Sequence, residues 1–318
     1  MGPHTSSRRP VALLLAVAAA LALAAPGTCV AGISGIPGAF ADIGIGARSL
    51  AMGGSVAAVR GAEALFWNPA RIDPGDAAVD VSLSYCDQMG LVPYSAAAGA
   101  TRVGPYAVGA GVLYSGDDVL TETTVLIGGA RTMPELPWAC GRRPEVGAAL
   151  RVRRASFGNN ESHDGQVTGT ALGFALDVGA TVPVPGDATI AVVWRDAVSS
   201  LSWDSSVGGT YDEAVPSVVS IGAAVTAAGR LTVEAGFDMA LEDEARDFAS
   251  MGVELALFDV AALRGGYRTS VTDDTLDEFM AGGGVSTSLG SATVGVDVAY
   301  VFSELEDTLR MAVGIAWR

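Results

Sequence analysis

The most constraining feature of this chain is a long series of short segments in which apolar side chains alternate with small or polar ones. In residues 307–318, Leu309, Met311 and Val313 alternate with Arg310 and Ala312. A period of two is typical of β-strands, and about 9–11 residues let a tilted strand cross a membrane. Fourteen such segments are present, at 77–86, 94–102, 105–116, 122–133, 145–157, 167–182, 188–199, 215–227, 231–242, 247–258, 260–271, 278–289, 292–303 and 307–318.

The charged residues of these segments lie on the polar faces. They are Arg151, Asp177, Glu234, Asp238, Glu254, Asp297 and Arg310, among others. An arginine facing lipid near the midplane costs about 2–4 kcal/mol, whereas charges facing a polar lumen can pair with each other. A β-sandwich also alternates, but the charges favour an all-β transmembrane barrel of about fourteen antiparallel strands. We expect these seven residues to face its lumen, and Val298 to face lipid, so Val298→Arg should be more damaging than Ala299→Arg.

The connections between the segments support the same fold. If both termini are periplasmic, the inward turns at 103–104 and 228–230 are short and the outward connection at 200–214 is longer, as in outer-membrane barrels. The inward connection at 134–144 is the exception. Residues 200–214, which carry Trp203 and Tyr211, are the expected surface for secretion-system or cargo proteins. We place Cys86 and Cys140 at opposite ends of the barrel and expect no disulfide between them.

The N-terminus predicts export. Residues 1–31 have a charged start at Arg8 and Arg9 followed by an apolar run from Val11 to Ala25, which is typical of a signal peptide and too short to span a bilayer. Cleavage after Ala24 or Ala31 fits this signal. The domain division is therefore a signal peptide at 1–31, a plug segment at 32–75 and a barrel at 76–318, located in the bacterial outer membrane.

Composition excludes several function classes. A net charge of −16 argues against nucleic acid, whose phosphates require a basic surface. The two histidines are His4, in the signal, and His163, in a loop, so a Ser-His-Asp triad or a histidine-rich metal site could be assembled only through His163. We expect no enzymatic activity, no cofactor and no metal.

Residues 40–72 match neither a strand nor an amphipathic helix and contain five glycines. An irregular segment ahead of a series of strands predicts a plug inside the barrel. A barrel of fourteen strands is wide enough that its lumen must be occupied or it leaks. The residues that we assign to the plug or gate are Phe40, Gly46, Arg48, Met52, Gly53, Gly54, Asn68, Pro69 and Ala70.

Two local predictions concern this segment. Pro69 fixes its own φ and pushes Asn68 towards extended geometry, which predicts a turn with the Asn68 side chain bonded to nearby backbone. Arg48 is expected to hold one of the lumen carboxylates through two parallel hydrogen bonds. For Glu234 and Asp238, four residues apart on one strand face, we expect an ion-pair network in the lumen.

The same segment resembles the N-terminal signature of the PorV/PorQ family, part of the FadL-like group of outer-membrane barrels. The matching residues are Phe40, Gly44, Gly46, Ala47, Arg48, Met52, Gly53, Gly54, Ala57, Asn68, Pro69 and Ala70. Residues 263–267 and 296–300 are similar to the family as well. The resemblance implies that the segment folds inside the barrel and controls the passage of small hydrophobic molecules.

Two functions remain open at this stage. A transport protein would admit hydrophobic molecules, with a continuous apolar pocket beside residues 40–72 and a lateral or periplasmic exit. A type IX secretion-associated barrel, as the PorV/PorQ resemblance implies, would shuttle or anchor secreted proteins at the cell surface. Filling and stabilising the lumen is the simplest alternative role for the plug.

Overall fold

In the computed structural model the chain forms a closed antiparallel β-barrel of fourteen strands. The structure describes residues 45–318 except 89, 91, 118, 136–141, 159–165, 243–245, 259, 272–276 and 304–306. The predicted signal peptide, Phe40, Cys140 and His163 therefore lie outside the described residues. Within the described residues, no helix is long and apolar enough to cross a membrane.

From residue 45 onward, three short helices precede the strands: α1 (Ala47–Ala51) and the 3-10 helices η1 (Ala62–Phe66) and η2 (Pro69–Arg71). The first seven strands are β1 (Val79–Gln88), β2 (Val92–Val103), β3 (Tyr106–Gly116), β4 (Leu120–Thr132), β5 (Glu145–Phe157), β6 (Gly169–Val184) and β7 (Ala188–Ser205). The others are β8 (Gly209–Asp212), β9 (Val218–Ala227), β10 (Leu231–Ala240), β11 (Phe248–Leu257), β12 (Ala261–Ser270), β13 (Asp277–Leu289), β14 (Ala292–Ser303) and β15 (Thr308–Trp317).

Neighbouring strands pair in sequence order, and the pairing of β1 with β15 closes the wall. Strand β7 pairs with β6 on one side and with β9 on the other, so β8 is not part of the wall. The predicted fourteen-stranded antiparallel barrel is confirmed. Closure satisfies every backbone hydrogen bond between strands and leaves no free edge.

The connection predicted at 200–214 is wrong in one respect. Strand β7 continues to Ser205 and pairs with β8, with Trp203 opposite Tyr211. Leu201 and Trp203 continue the alternation of β7 and are buried, which favours strand geometry over a loop. The result is a hairpin that extends the wall beyond the strands that close the barrel.

The outer face of the wall carries the apolar residues of the alternation. On β14, Val296 and Val298 are 44% and 39% exposed, while Ala299 is 0% exposed and faces the interior. Aromatic rings lie near the strand ends on the same face, with Tyr300 and Phe302 4.6 Å apart. An apolar outer surface with rings at its edge is typical of barrels embedded in a membrane.

Candidate functional site

The interior of the barrel contains residues 45–72, which we call the inner segment. Although it has little regular structure, it is among the most buried parts of the molecule: Ala47, Ala51, Ala57, Ala62 and Ile72 are each 0% exposed. An irregular backbone buried in this way requires partners for its N–H and C=O groups. The wall supplies many of them.

The inner segment contacts every strand of the wall. Helix α1 packs against β12–β15, η1 against β1–β4, and η2 against β4–β6. Val56 packs with Ala191 of β7 and Ala224 of β9. Arg48 and residues 55–58 reach β11 and β10 through the hydrogen bonds described below. The inner segment therefore spans the whole cross-section of the barrel at this level.

Glu234 of β10 is the most extensively bonded of the predicted lumen residues. Its carboxylate accepts hydrogen bonds from the backbone N–H groups of Val56, Ala57 and Ala58 at 2.9, 2.8 and 3.0 Å, and from the hydroxyl of Ser55. Glu234 is 3% exposed. The expectation of an ion-pair network at Glu234 is wrong, because neutral donors of the inner segment hold its carboxylate.

Arg48 makes the bidentate contact that the sequence predicts. Its Nε and Nη2 donate to the two carboxylate oxygens of Glu254 on β11, at 2.8 and 2.7 Å. Arg264 of β12 donates to the same carboxylate at 2.6 Å and to Asp297 of β14 at 2.6 Å. These four side chains form a chain of alternating charge from the inner segment across three strands.

Glu145, the first residue of β5, is an anchor that the sequence analysis missed. Its carboxylate accepts hydrogen bonds from Arg60 at 2.7 Å, from Arg71 at 3.2 Å and from the hydroxyl of Thr181 at 3.1 Å. Both arginines belong to the inner segment. Glu145 shares the face of Arg151 in the predicted segment 145–157, so the alternation gives its direction but does not identify its partners in the inner segment.

Asp80 of β1 is a second missed anchor, accepting a hydrogen bond from the Ala62 N–H at 2.7 Å. It is the second residue of β1, and Val79, Val81 and Leu83 lie on the other face of the strand. That alternation was the signal that could have identified it. Asp80, Glu145, Glu234 and Glu254 thus place carboxylates at four points around the wall, each bonded to the inner segment.

Glu63 ties two parts of the inner segment together. Its carboxylate accepts a hydrogen bond from the Ser49 N–H at 2.9 Å, which joins η1 to α1. Burial raises the pKa of this carboxyl, and the hydrogen bonds of Ser49 and the charge of Arg48 oppose the increase.

The turn at Asn68 has the predicted geometry. Asn68 is extended, with φ −149° and ψ 103°, and Pro69 begins η2. The Asn68 side chain accepts from the Ala70 N–H at 3.0 Å and donates to the Val56 carbonyl at 2.8 Å. Asn68 therefore joins the two halves of the inner segment from a position that is 1% exposed.

Glycines of the wall make room for the backbone of the inner segment. A Cβ at Gly252 of β11 would lie 2.2 Å from the Met52 carbonyl oxygen, and one at Gly147 of β5 would lie 2.4 Å from the Pro69 carbonyl carbon. Neither distance is compatible with a side chain. The inner segment thus fits against the wall by direct backbone contact.

The other residues assigned to the gate from the sequence lie at bends of the inner segment. Gly46, Gly53 and Gly54 have φ values of 86°, 78° and 93°, a region that favours glycine. Met52 is 1% exposed, next to Gly252. Gly53 and Gly54 separate the part bonded to Glu254 from the part bonded to Glu234.

Other charged residues of the lumen pair within the wall. Arg151 of β5 donates to Asp177 of β6 at 2.5 Å, and Arg153 lies 2.7 Å from Asp196 of β7. Asp196 has φ 51° and lies in an irregularity where Asp177 stands opposite residues 195–197. These ion pairs therefore stabilise a bulge between β6 and β7.

Asp238 and Arg310, both predicted to face the lumen, also bond to residues of the wall. Asp238 of β10 accepts from Ser220 at 2.6 Å and from Arg268 at 3.4 Å. Arg310 of β15 donates to the Cys86 sulfur at 3.3 Å and to Gln88 at 2.7 Å.

Among the residues that the structure describes, cavities lie at opposite ends of the wall. One, of about 250 Å³, lies between Ala70 and Asp73 of the chain before β1 and the short turn at 104–105. The other, of about 650 Å³, lies at the far ends of β4–β7, beside Phe157 and Thr170. Neither is the continuous apolar pocket that the transport hypothesis predicts.

Comparison with solved structures shows which fold this is. The chain superposes on the Pseudomonas putida toluene transporter TodX with a TM-score of 0.60 and 14% identity, covering 86% of this chain and 98% of that one. The CymD monoaromatic hydrocarbon channel gives 0.59 and 15%, covering 88% and 98%. A Pseudomonas aeruginosa FadL homologue gives 0.54 and 10%, covering 84% and 96%.

No protein-family model matches the sequence, and no curated protein matches it. The similarity to the solved structures, which are FadL-like outer-membrane channels, is therefore a similarity of fold.

Proposed function

We propose that this chain is an outer-membrane channel that passes small hydrophobic molecules, and that the inner segment is its plug. In this proposal residues 1–31 direct export and residues 32–75 form the plug segment, of which 45–72 occupy the lumen. Plug and barrel act together, without cofactor or catalysis.

The observation that carries the proposal is the way the inner segment fills the barrel. It contacts all fourteen wall strands and is bonded to Asp80, Glu145, Glu234 and Glu254. A barrel of this strand number without such a segment would leave an open lumen. An anchored segment across the lumen restricts passage to molecules that can move past it.

The outer surface supports the membrane location. Exposed apolar residues such as Val296, Leu263 and Ile127 cover the wall, and an exposed apolar surface of this extent is unfavourable in water. The fold of the compared channels agrees with this location.

A second candidate is the PorV/PorQ-type role in type IX secretion, with secreted or secretion-system proteins as partners. The β7–β8 hairpin favours it. Trp203 and Tyr211 stack with ring centroids 6.4 Å apart, and Trp203 Nε1 donates to Glu213 at 2.5 Å. Trp203 is buried and supports the exposed ring of Tyr211, and an exposed aromatic ring at the rim is a suitable contact for a protein.

Uptake measurements separate the two candidates. Cells of a host with an outer membrane, expressing the chain, should take up toluene at low external concentration faster than cells with an empty vector. A variant lacking 206–211 should keep this uptake if the chain is a channel. Uptake equal to the empty vector, together with capture of a secreted protein that depends on 206–211, would support the secretion role instead.

A further inference from the structure

The larger cavity lies in a polar region of the rim. It is bordered by residues of β4–β7 and their connections, and hydroxyl groups dominate its lining: Thr121, Ser156, Thr168, Thr170, Ser205 and Ser206. We call it the rim groove. Its volume of about 650 Å³ is in the range of ligand-binding pockets.

The frame of the rim groove is held by hydrogen bonds between its edges. The Ser206 N–H donates to the Thr168 carbonyl at 2.8 Å, and the Thr168 N–H donates to the Ser206 hydroxyl at 3.0 Å. The Gly158 N–H donates to the Val119 carbonyl at 2.9 Å. The groove is therefore preformed, so binding of a ligand costs less conformational entropy than ordering a flexible site would.

Several polar groups of the rim groove remain available to a ligand. Within the described residues, the hydroxyl of Thr170 and the carboxylate of Asp204 make no hydrogen bond to another residue. The ring of Phe157 faces the interior, 5.6 Å from the ring of Trp203. Hydroxyls and a carboxylate suit a sugar, which offers several hydroxyl groups.

The direction of these side chains distinguishes this rim from the rest of the barrel. By alternation, Thr121, Ser156, Thr170 and Asp204 point outward from the wall, because Ala155 and Ala171 next to them are buried inside. At the same end of β13–β15 the outward residues are Phe279, Phe302 and Leu309, 58%, 46% and 47% exposed. The outward residues at this end are therefore polar on β4–β7 and apolar on β13–β15.

Arg154 provides a positive charge beside the rim groove. It is exposed and lies on the outward face of β5, two residues from Ser156, opposite Thr123 and Leu172. Within the described residues its guanidinium has no carboxylate partner. A planar guanidinium binds phosphate through parallel hydrogen bonds.

We propose that the rim groove and Arg154 bind the phosphorylated sugar headgroup of an outer-leaflet glycolipid. The groove hydroxyls and Asp204 hold the sugar, and Arg154 holds its phosphate. The acyl chains lie along the apolar wall below, at Val152 and Leu172. The proposal rests on the outer-membrane location proposed above and is independent of what the channel transports.

Binding to purified full-length protein in detergent tests this directly. The probes are fluorescent rough lipopolysaccharide and the same molecule after removal of its phosphates. Arg154→Gln should weaken binding of the phosphorylated probe by about tenfold or more, since it removes a charge-assisted contact, and should leave the dephosphorylated probe unchanged. Thr170→Val with Ser156→Ala should weaken binding of both probes.

The matched control is Arg131→Gln, which removes another exposed arginine at the opposite rim, stacked on Tyr106 at 5.5 Å. It should bind both probes as the parent does. Equal weakening by Arg131→Gln and Arg154→Gln, or unchanged affinity in Arg154→Gln, overturns the proposal. So does equal affinity for the intact probe and for its deacylated, water-soluble phosphorylated core, which would assign the groove to a soluble ligand. Toluene uptake by Arg154→Gln should equal that of the parent, so failure here is distinct from failure of the channel proposal.

Discussion

The lumen has two parts, and charged residues are used differently in each. In the part occupied by the inner segment, the wall offers carboxylates such as Glu234 and Glu145 to donors of the segment. In the other part, arginines and carboxylates of the wall pair with each other, as Arg151 does with Asp177 and Arg153 with Asp196.

The difference shows how the wall accommodates the inner segment. A buried carboxylate requires a partner, so Glu234 in an empty lumen would need a cation or water. Here three backbone N–H groups and a hydroxyl fill that role. Because Gly252 and Gly147 have no side chain, the backbone of the inner segment can lie directly against the wall. The self-paired part needs no inserted segment.

The largest expected effect comes from removing the inner segment. Deletion of 45–72 should leave a barrel that assembles, because its strands are bonded to each other in a closed ring. In planar bilayers the parent should show no stable open level, and the deletion variant should show one, because its lumen becomes an aqueous channel.

Heat-modifiable migration in gels reports whether the deletion variant has assembled. Failure to assemble would make the inner segment a structural core of the barrel. An assembled variant that conducts no better than the parent would remove the inner segment as the barrier and favour the secretion role.

The second prediction compares the two faces of β14. Val298→Arg places a charge on the lipid face and should destabilise assembly by about 2–4 kcal/mol near the midplane. Ala299 is packed against Ala47 and Ala51 of α1, so Ala299→Arg should assemble but displace the inner segment and conduct. This replaces our expectation from the sequence that Ala299→Arg is simply the milder change. Urea unfolding in lipid vesicles and bilayer conductance distinguish the two outcomes, and the reverse assignment would indicate a register shifted by one residue.

The third prediction concerns the fit of the inner segment. Gly252→Ala places a methyl group against the Met52 backbone and should destabilise the packed state by about 1–3 kcal/mol, with faster trypsin cleavage at Arg48 or Arg60. Gly265→Ala is the matched control, because its Cβ would meet no atom closer than the Met280 oxygen at 3.9 Å. Equal cleavage of both variants would mean that the backbone contact does not hold the segment.

The alternation of the sequence was sufficient to predict the barrel. Every second side chain of a wall strand points into the lumen, and this alternation can be read without knowing any distant contact. Fourteen strands could therefore be placed. Arg48 could be matched with the set of carboxylates on the lumen faces. The Asn68 turn was predictable as well, because proline acts on its immediate neighbour.

The anchors at Glu145 and Glu234 could not be predicted in the same way. Their partners lie 74 and 178 residues away in Arg71 and Val56, and an irregular segment has no period from which its direction can be read. The β7–β8 hairpin was missed because Ser200, Ser202 and Asp204 read as loop residues. They are outward-facing residues of a strand that continues above the apolar surface.

The smallest expected effect is that of Arg48. Its contact with Glu254 is bidentate, but the Arg48 side chain is 36% exposed, and Arg264 holds the same carboxylate when Arg48 is absent. Arg48→Ala should therefore weaken docking of the inner segment by no more than about 1 kcal/mol, which raises the undocked fraction about fivefold. Bilayer recordings should show brief openings, rarer than those of Ala299→Arg. The opening frequency of Arg48→Lys should lie between those of the parent and Arg48→Ala. An ammonium keeps the charge but cannot form the two parallel hydrogen bonds of a guanidinium. A larger effect of Arg48→Ala than of Gly252→Ala would show that ionic contact, rather than backbone fit, keeps the inner segment in place.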